Sequence, residues 1–173
     1  SSLFLIIYSL IDVMKVFKKN LIYKLPRTAA HLGFGLLILF IGLNHNLSEE
    51  FDFNLRVGEV KKLDNYEINF NTLEVYEKKN YKTLVGNFKI KISNSNEIRS
   101  LKPEIRIYDK PETITYEASI KTNFAQDYFL TMSNIGDGDI YNIKFQRKPL
   151  MLWIWLSAFL ISIGGLYRLF YKS

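Results

Sequence analysis

Three stretches of this chain, Ser1–Ile11, Thr28–Asn44 and Leu150–Tyr167, contain no Asp, Glu, Lys or Arg. Nothing else in the sequence constrains the fold as strongly, because a helix of about 20 apolar residues crosses a bilayer. The mean hydropathy of −0.01 conceals this, since it averages those stretches with a middle region as polar as any soluble domain. A length of 173 residues leaves room for one domain of ordinary size and a few spanning helices.

Net charge is +6, which by itself would suggest nucleic acid or an acidic partner. Its distribution argues otherwise. Between Asn46 and Pro149 sixteen Lys and Arg balance sixteen Asp and Glu, and the whole excess lies beside the apolar segments. There, Lys15, Lys18, Lys19, Lys24, Arg27, Arg168 and Lys172 face only Asp12. Short loops that stay on the cytoplasmic or matrix side retain Lys and Arg in this way. A nucleic-acid role is set aside, because its basic footprint belongs on the folded domain.

The expected organisation follows along the chain. Residues 1–14 (SSLFLIIYSLIDVM) read as the inner end of a truncated transmembrane helix. Residue 1 is taken as a cut, since there is no initiator Met, no charged leader and no small-residue cleavage site. Residues 15–27 form a basic cytoplasmic or matrix loop, and Pro26 should hold Leu25 out of the helical region so that a helix starts just after it. Residues 28–47 form a transmembrane helix on which His31, Gly35, Ile38 and Gly42 share one face, a groove for another helix or a flat ligand. Residues 48–149 form an extracytoplasmic β-domain, 150–169 a further transmembrane helix anchored by Trp153, Trp155 and Tyr167, and 170–173 an inner tail. Period-two alternation places strands at Tyr66–Phe70, Asn87–Ile92, Ile105–Tyr108, Thr113–Tyr116, Tyr128–Leu130 and Ile140–Phe145. Turn residues at 93–96, 109–111 and 136–139 separate them. The fold class is therefore membrane α-helices plus an inserted all-β domain, an antiparallel barrel or sandwich.

Candidate chemistry is sparse. The chain has no cysteine, which removes disulfides, zinc–thiolate sites and thiol catalysis. His31 stands out, because a ligating side chain within a spanning segment is costly without a role and imidazole is a common axial ligand of haem iron. Position alone leaves a second reading open, a helix-end histidine bonded to a neighbour or facing the interface. His45 lies at the opposite boundary, where histidine is cheap. Asp137 and Asp139 with their glycines lack the spacing of a calcium loop and read as a hairpin turn. Glu49-Glu50 reads as a solvated run after the helix. Nucleophile elbows and phosphate-binding loops are absent.

Three stretches taken together resemble the C-terminal region of the CcmF family of cytochrome c-type biogenesis proteins. They are Ala30–Gly35 opening a helix, Leu101–Tyr108 followed by Tyr116–Ile120, and Arg147–Trp155 running into Gly164-Gly165, with Asp127-Tyr128 in between. The resemblance implies the C-terminal part of a haem lyase (holocytochrome c synthase), which assists covalent haem attachment to apocytochrome c. It also implies a transmembrane haem b with His31 as axial ligand and Gly35 on the haem-facing or helix-packing side. Implied partners are the rest of the lyase with its second haem ligand, a haem chaperone, apocytochrome c with its thiol-handling factors, and membrane lipid. The implied location is a bacterial inner membrane with a periplasmic domain, or a mitochondrial inner membrane with an intermembrane-space domain. Within that family the tryptophan-rich segment, a second membrane histidine and an outer histidine pair lie upstream, so catalytic residues stay unassigned here. From the residues alone the rival is a non-catalytic membrane-anchored β-domain, an assembly or transport accessory with a structural His31.

Overall fold

The computed structural model describes residues 4, 6–8, 11, 21–93, 97–134 and 138–170. Most of the expected first helix, residues 15–20 of the basic loop, parts of the turns at 93–96 and 136–139, and residues 171–173 lie outside these. Residues 4, 6–8 and 11 are helical, and two helices are described in full, α1 (Leu21–Leu47) and α2 (Met151–Phe170). Between them run ten strands: β1 (Glu49–Arg56), β2 (Val60–Lys62), β3 (Tyr66–Glu77), β4 (Tyr81–Ile92), β5 (Ile98–Leu101), β6 (Glu104–Asp109), β7 (Glu112–Glu117), β8 (Ser119–Thr122), β9 (Gln126–Asn134) and β10 (Ile140–Pro149). They divide into two compact units, a helical one built on α1 and α2 with residues 124–126, and a β-unit of residues 49–123 and 127–147.

In the helical unit, Pro26 lies inside α1, which corrects the expectation that the helix starts after it. Proline removes one backbone donor and biases, without forbidding, its predecessor, and membrane-type helices tolerate this. Only Pro26–Leu47 is long and apolar enough, among the described residues, to cross a bilayer; the apolar run of α2, Met151–Tyr167, is shorter. Just 22 % of the α1 window is buried within the protein, whereas the core helix of a soluble protein is mostly buried. Phe34, Ile38, Ile41 and Leu43 all point outward. Such an exposed apolar surface suits lipid.

The β-unit holds two antiparallel sheets, a four-stranded one in the order β1-β10-β9-β8 and a larger one in the order β2-β3-β4-β6-β7, with β5 also paired to β4. Alternation explains what fills the space between them. Tyr66, Ile68 and Phe70 of β3 and Phe88 and Ile90 of β4 meet Tyr128, Leu130 and Met132 of β9 and Tyr141, Ile143 and Phe145 of β10, all at most 6 % exposed. Aromatic rings lock the layers: Phe70 stacks on Phe88 at 4.3 Å between centroids and meets Tyr141 edge-on at 5.6 Å, and Tyr66 meets Phe145 at 5.1 Å. A bulge falls between Phe70 and Thr72, leaving Asn71 without a cross-strand partner. The inward phase of β3 therefore shifts from even to odd residues, and Leu73 rather than Thr72 packs on the core.

The observed sandwich contains the six strands that alternation predicted, all of them longer than expected, together with β1, β2, β5 and β8. Glu49-Glu50, expected as a solvated run, instead opens β1. The reason is visible in retrospect, since Phe51, Phe53 and Leu55 alternate with polar residues and turn toward the core.

Gly86 is where the core tolerates no side chain. A Cβ there would lie 2.6 Å from Cε2 of Phe88 and 2.8 Å from Sδ of Met132. Overpacking of this kind costs about 1–3 kcal/mol. Gly86→Ala should lower the unfolding free energy, read from urea titration of the β-sheet circular dichroism signal, by that amount. Gly138→Ala, whose Cβ would meet only the Ile140 nitrogen at 4.0 Å, should stay close to wild type.

Candidate functional site

His31 is exposed, about three turns into α1 from Leu21, and α1 packs on α2 through small residues beside it. A Cβ on Gly33 would lie 2.9 Å from Ile161 Cγ1 and 3.0 Å from the Ser157 carbonyl oxygen; one on Gly164 would lie 2.6 Å from the Pro26 carbonyl oxygen. Glycine is thus required at both contacts, where the two backbones come close in the small-residue manner of membrane helices. Further along, Phe40 and Trp153 lie 5.9 Å apart, and Asn44 Nδ2 donates to the Pro149 carbonyl. The Trp153 indole N–H donates to the Phe124 carbonyl at 3.2 Å. Leu150 enters α2 with φ at 61°, a left-handed conformation that costs about 1–2 kcal/mol for a residue with a Cβ. Hydrogen bonds from its N–H to Ala125 O at 2.8 Å and from the Ile154 N–H to its carbonyl at 3.1 Å hold it there.

Next to this seam is a cavity of about 210 Å³ lined by Pro26, Arg27, Ala30, His31, Ile161, Gly164 and Gly165. Its size is below the roughly 300–1,000 Å³ of pockets that enclose a drug-sized ligand. It can supply one wall for a flat group but not an enclosure. No described residue hydrogen-bonds His31, and a Cβ on Gly165 would meet nothing within 4 Å, so the surface beside the imidazole is open. These residues fit one axial ligand and one face of a porphyrin. Gly35 is one turn along α1 from His31 and is buried, while Ile38 and Gly42 of the same face are exposed. His45 is exposed at the far end of α1 and lines no part of this cavity. Sequence reasoning singled out Gly35 and Gly42, whereas Gly33 and Gly164 accept the neighbouring helix; small residues on facing helices were the available signal.

The β-unit contains no group of three or more His, Asp or Glu, among the described residues, that could hold a metal. One of its polar clusters joins three strands, β1, β3 and β10. The Arg147 guanidinium donates to both carboxylate oxygens of Glu49, at 3.1 and 2.9 Å, and the Tyr66 hydroxyl donates to Glu49 Oε2 at 3.0 Å. The Arg147 hydrogen bond holds the Glu49 carboxyl below its usual range, against burial that pushes it up. Burial, and then the bond to Glu49, push the Tyr66 hydroxyl well above the ordinary phenol range. Elsewhere the residues that carry the family resemblance meet one another: the Lys102 N–H donates to Ser119 Oγ at 2.9 Å, and Arg106 lies 2.9 Å from Glu104 and 3.7 Å from Glu117. The Arg99 guanidinium lies 4.5 Å over the ring of Tyr128. These contacts account for the polar motifs as parts of the sandwich.

Comparison with known proteins decides the family. The family model described as the CcmF C-terminal beta-sandwich matches residues 46–149, more than half of the chain. The chain belongs to the CcmF family. A cytochrome c-type biogenesis protein CcmF from Pseudomonas fluorescens is 30% identical over 138 residues, which is 79% of this chain and 21% of that protein. The probable cytochrome c-type biogenesis protein NrfE of Escherichia coli is 27% identical over 157 residues, 89% of this chain and 28% of its own length. A solved structure described as Cytochrome c Heme Lyase CcmF superposes with a TM-score of 0.61 at 18% identity, over 82% of this chain and 24% of that one. It shows the same fold. The chain spans about a fifth of the length of the Pseudomonas and Haemophilus CcmF proteins it matches.

A pH dependence follows from the CcmF sandwich's Glu49 cluster. The folded-state pKa of Glu49 is depressed, so its contribution is complete above the ordinary carboxylate range and is lost as pH falls through the depressed value. Glu49→Gln should cost about 1 kcal/mol or less at pH 7, because the pair is partly exposed. That difference should close as urea titrations are repeated at pH values below about 4.

Proposed function

We propose that this chain is the C-terminal part of a cytochrome c haem lyase, in which α1 contributes His31 as one axial ligand to a membrane haem b. Membership of the CcmF family supports the reaction class. The ligand assignment rests on one observation, an unpartnered imidazole at the lip of a small-residue cavity whose Gly165 side is open. His31 would hold iron through an imidazole nitrogen, and Gly35 would belong to the supporting helix face. A haem b bound there would supply one-electron chemistry, toward reduction of the haem that is delivered for attachment. The remaining lyase would provide the second ligand and the other walls, a haem chaperone the substrate haem, and apocytochrome c with its thiol-handling factors the Cys-x-x-Cys-His thiols. The β-unit is read as a docking or scaffold domain.

His31→Ala in the complete assembly should deplete the haem b absorbance and abolish cytochrome c maturation, while His45→Ala should leave both near wild type. Alanine suits a helix, so depletion without unfolding is expected, and added imidazole should restore part of the spectrum. A full, unshifted haem b spectrum with normal maturation would remove His31 from the ligand set and favour the accessory reading.

The location proposed is a bacterial or mitochondrial inner membrane, with the β-unit in the periplasm or intermembrane space. Its support is the +6 charge confined to the flanks of the apolar segments. Tags after Lys19 and after Ser173 should be protected from outside, and one at Asn94–Asn96 should be reached. Labelling of the Lys19 tag from the outer face would reverse the arrangement.

A further inference from the structure

Five strands, β1, β2, β5, β7 and β8, pair on one side only, and four of these edges carry the usual protection against pairing with another chain, β5 by its length of four residues. β2 has three residues, two of them lysine; β8 has four residues and includes Lys121; β1 carries Glu49, Glu50, Asp52 and Arg56. β7 (ETITYE) is different. It has six residues, no lysine and no proline, and its two large apolar side chains, Ile114 and Tyr116, are 53 % and 51 % exposed.

Cross-strand register shows why those side chains are apolar. Val75, Leu84, Ile105 and Tyr116 form one row across β3, β4, β6 and β7, and Ile107 and Ile114 lie in the row beside it. Ile105 within the row is only 3 % exposed. The core-facing side of the sheet thus runs outward to β7, where it ends half uncovered. Charge at the strand's ends is of one sign. Asp109 stands opposite Glu112 and Glu104 opposite Glu117, and like charges directly opposite destabilise a sheet. Arg106 neutralises the second pair, at 2.9 Å from Glu104 and 3.7 Å from Glu117. Neither Asp109 nor Glu112 has an ion pair among the described residues.

We propose that β7 is a docking edge for an extended, basic polypeptide segment, which adds to the six-stranded sheet as a further strand. Main-chain pairing would supply affinity, alternate apolar side chains would cover Ile114 and Tyr116, and a Lys or Arg at the segment's end would face Glu112 and Asp109. A second copy of this chain fits less well. Antiparallel pairing of β7 with itself about Thr115 would set Ile114 opposite Tyr116 but Glu112 opposite Ala118, and β7 has no Lys or Arg to bring to its acidic end. The assignment goes beyond the haem site and stands whether or not His31 binds iron.

The test uses the full chain in detergent and a fluorescent heptapeptide, Lys-Thr-Val-Thr-Ile-Thr-Lys, in which Lys, Val, Ile and Lys share one face, against the same peptide with Glu at both ends. Anisotropy should show the lysine form binding several-fold more tightly, as expected for a cross-strand charge contact with Glu112 reversed in sign. Glu112→Lys should reduce that preference, and Ile114→Ser with Tyr116→Ser should weaken both peptides. Val60→Ser on the β2 edge should change neither. Circular dichroism checks that each variant is folded, which half-exposed positions permit. The chain has no cysteine, so Thr113→Cys provides a unique thiol that should cross-link to a cysteine-bearing lysine peptide under mild oxidation. Equal binding of the two peptides, indifference to the β7 variants, or cross-linking of Thr113→Cys chiefly to a second copy would overturn the proposal.

Discussion

An insertion between two paired helices must bring its ends back together, and the pairing of β1 with β10 meets that requirement. β1 follows α1 directly and β10 leads into α2; the first register pair of the two strands is Glu49 opposite Arg147. Their bidentate contact, with the Tyr66 hydroxyl on the same carboxylate, fixes the two ends of the β-unit to each other and to a strand of the second sheet. Everything between can then be organised as a closed sandwich, with Phe51, Phe53 and Leu55 of β1 facing inward from the same strand. The helices meet a matching requirement by another means. Gly33 and Gly164 let their backbones approach closely. One junction is held by an ion pair and the other chiefly by shape, which suits apolar segments that gain little from hydrophobic contact with one another in a bilayer.

Much of this was legible in the residues. Charge segregation divided the chain into apolar flanks and a neutral polar middle, and alternation located β3, β4, β6, β7, β9 and β10. β1 was hidden by its opening acidic pair, although Phe51, Phe53 and Leu55 carried the period-two signal two residues later. β2, β5 and β8 are only three or four residues long, too short for a period to establish itself. Pro26 misplaced the start of α1 because local backbone preference was given more weight than the apolar run on both sides of it. In the candidate site His31 was visible from its type and position. The helix-contact role of Gly33 was not, since spacing on one helix cannot say which face its neighbour takes.

Belonging to the CcmF family frames the two surfaces differently. The cavity beside His31 is small and open on its Gly165 side. The β-unit forms a sandwich in which Lys102, Ser119, Arg106 and Glu117 are occupied in holding strands together, while Asp127 keeps one buried carboxylate oxygen without a hydrogen-bond partner among the described residues. Its unprotected surface is an edge rather than a cleft.

The bulge at Asn71 carries a consequence for how relatives of this chain are compared. Before it, even-numbered residues of β3 face the core; after it, odd-numbered ones do. The parity of the strand is thus set by a single unpaired residue. A relative that lacked this one residue would keep the same side chains on each side, because Phe70 and Thr72 already stand opposite consecutive residues of β4, Phe88 and Asn87. A deletion elsewhere in β3, with the bulge kept, would turn the strand over beyond it. A one-residue gap in an alignment of this strand therefore belongs at Asn71, and placed further along it would match inside with outside over the residues between.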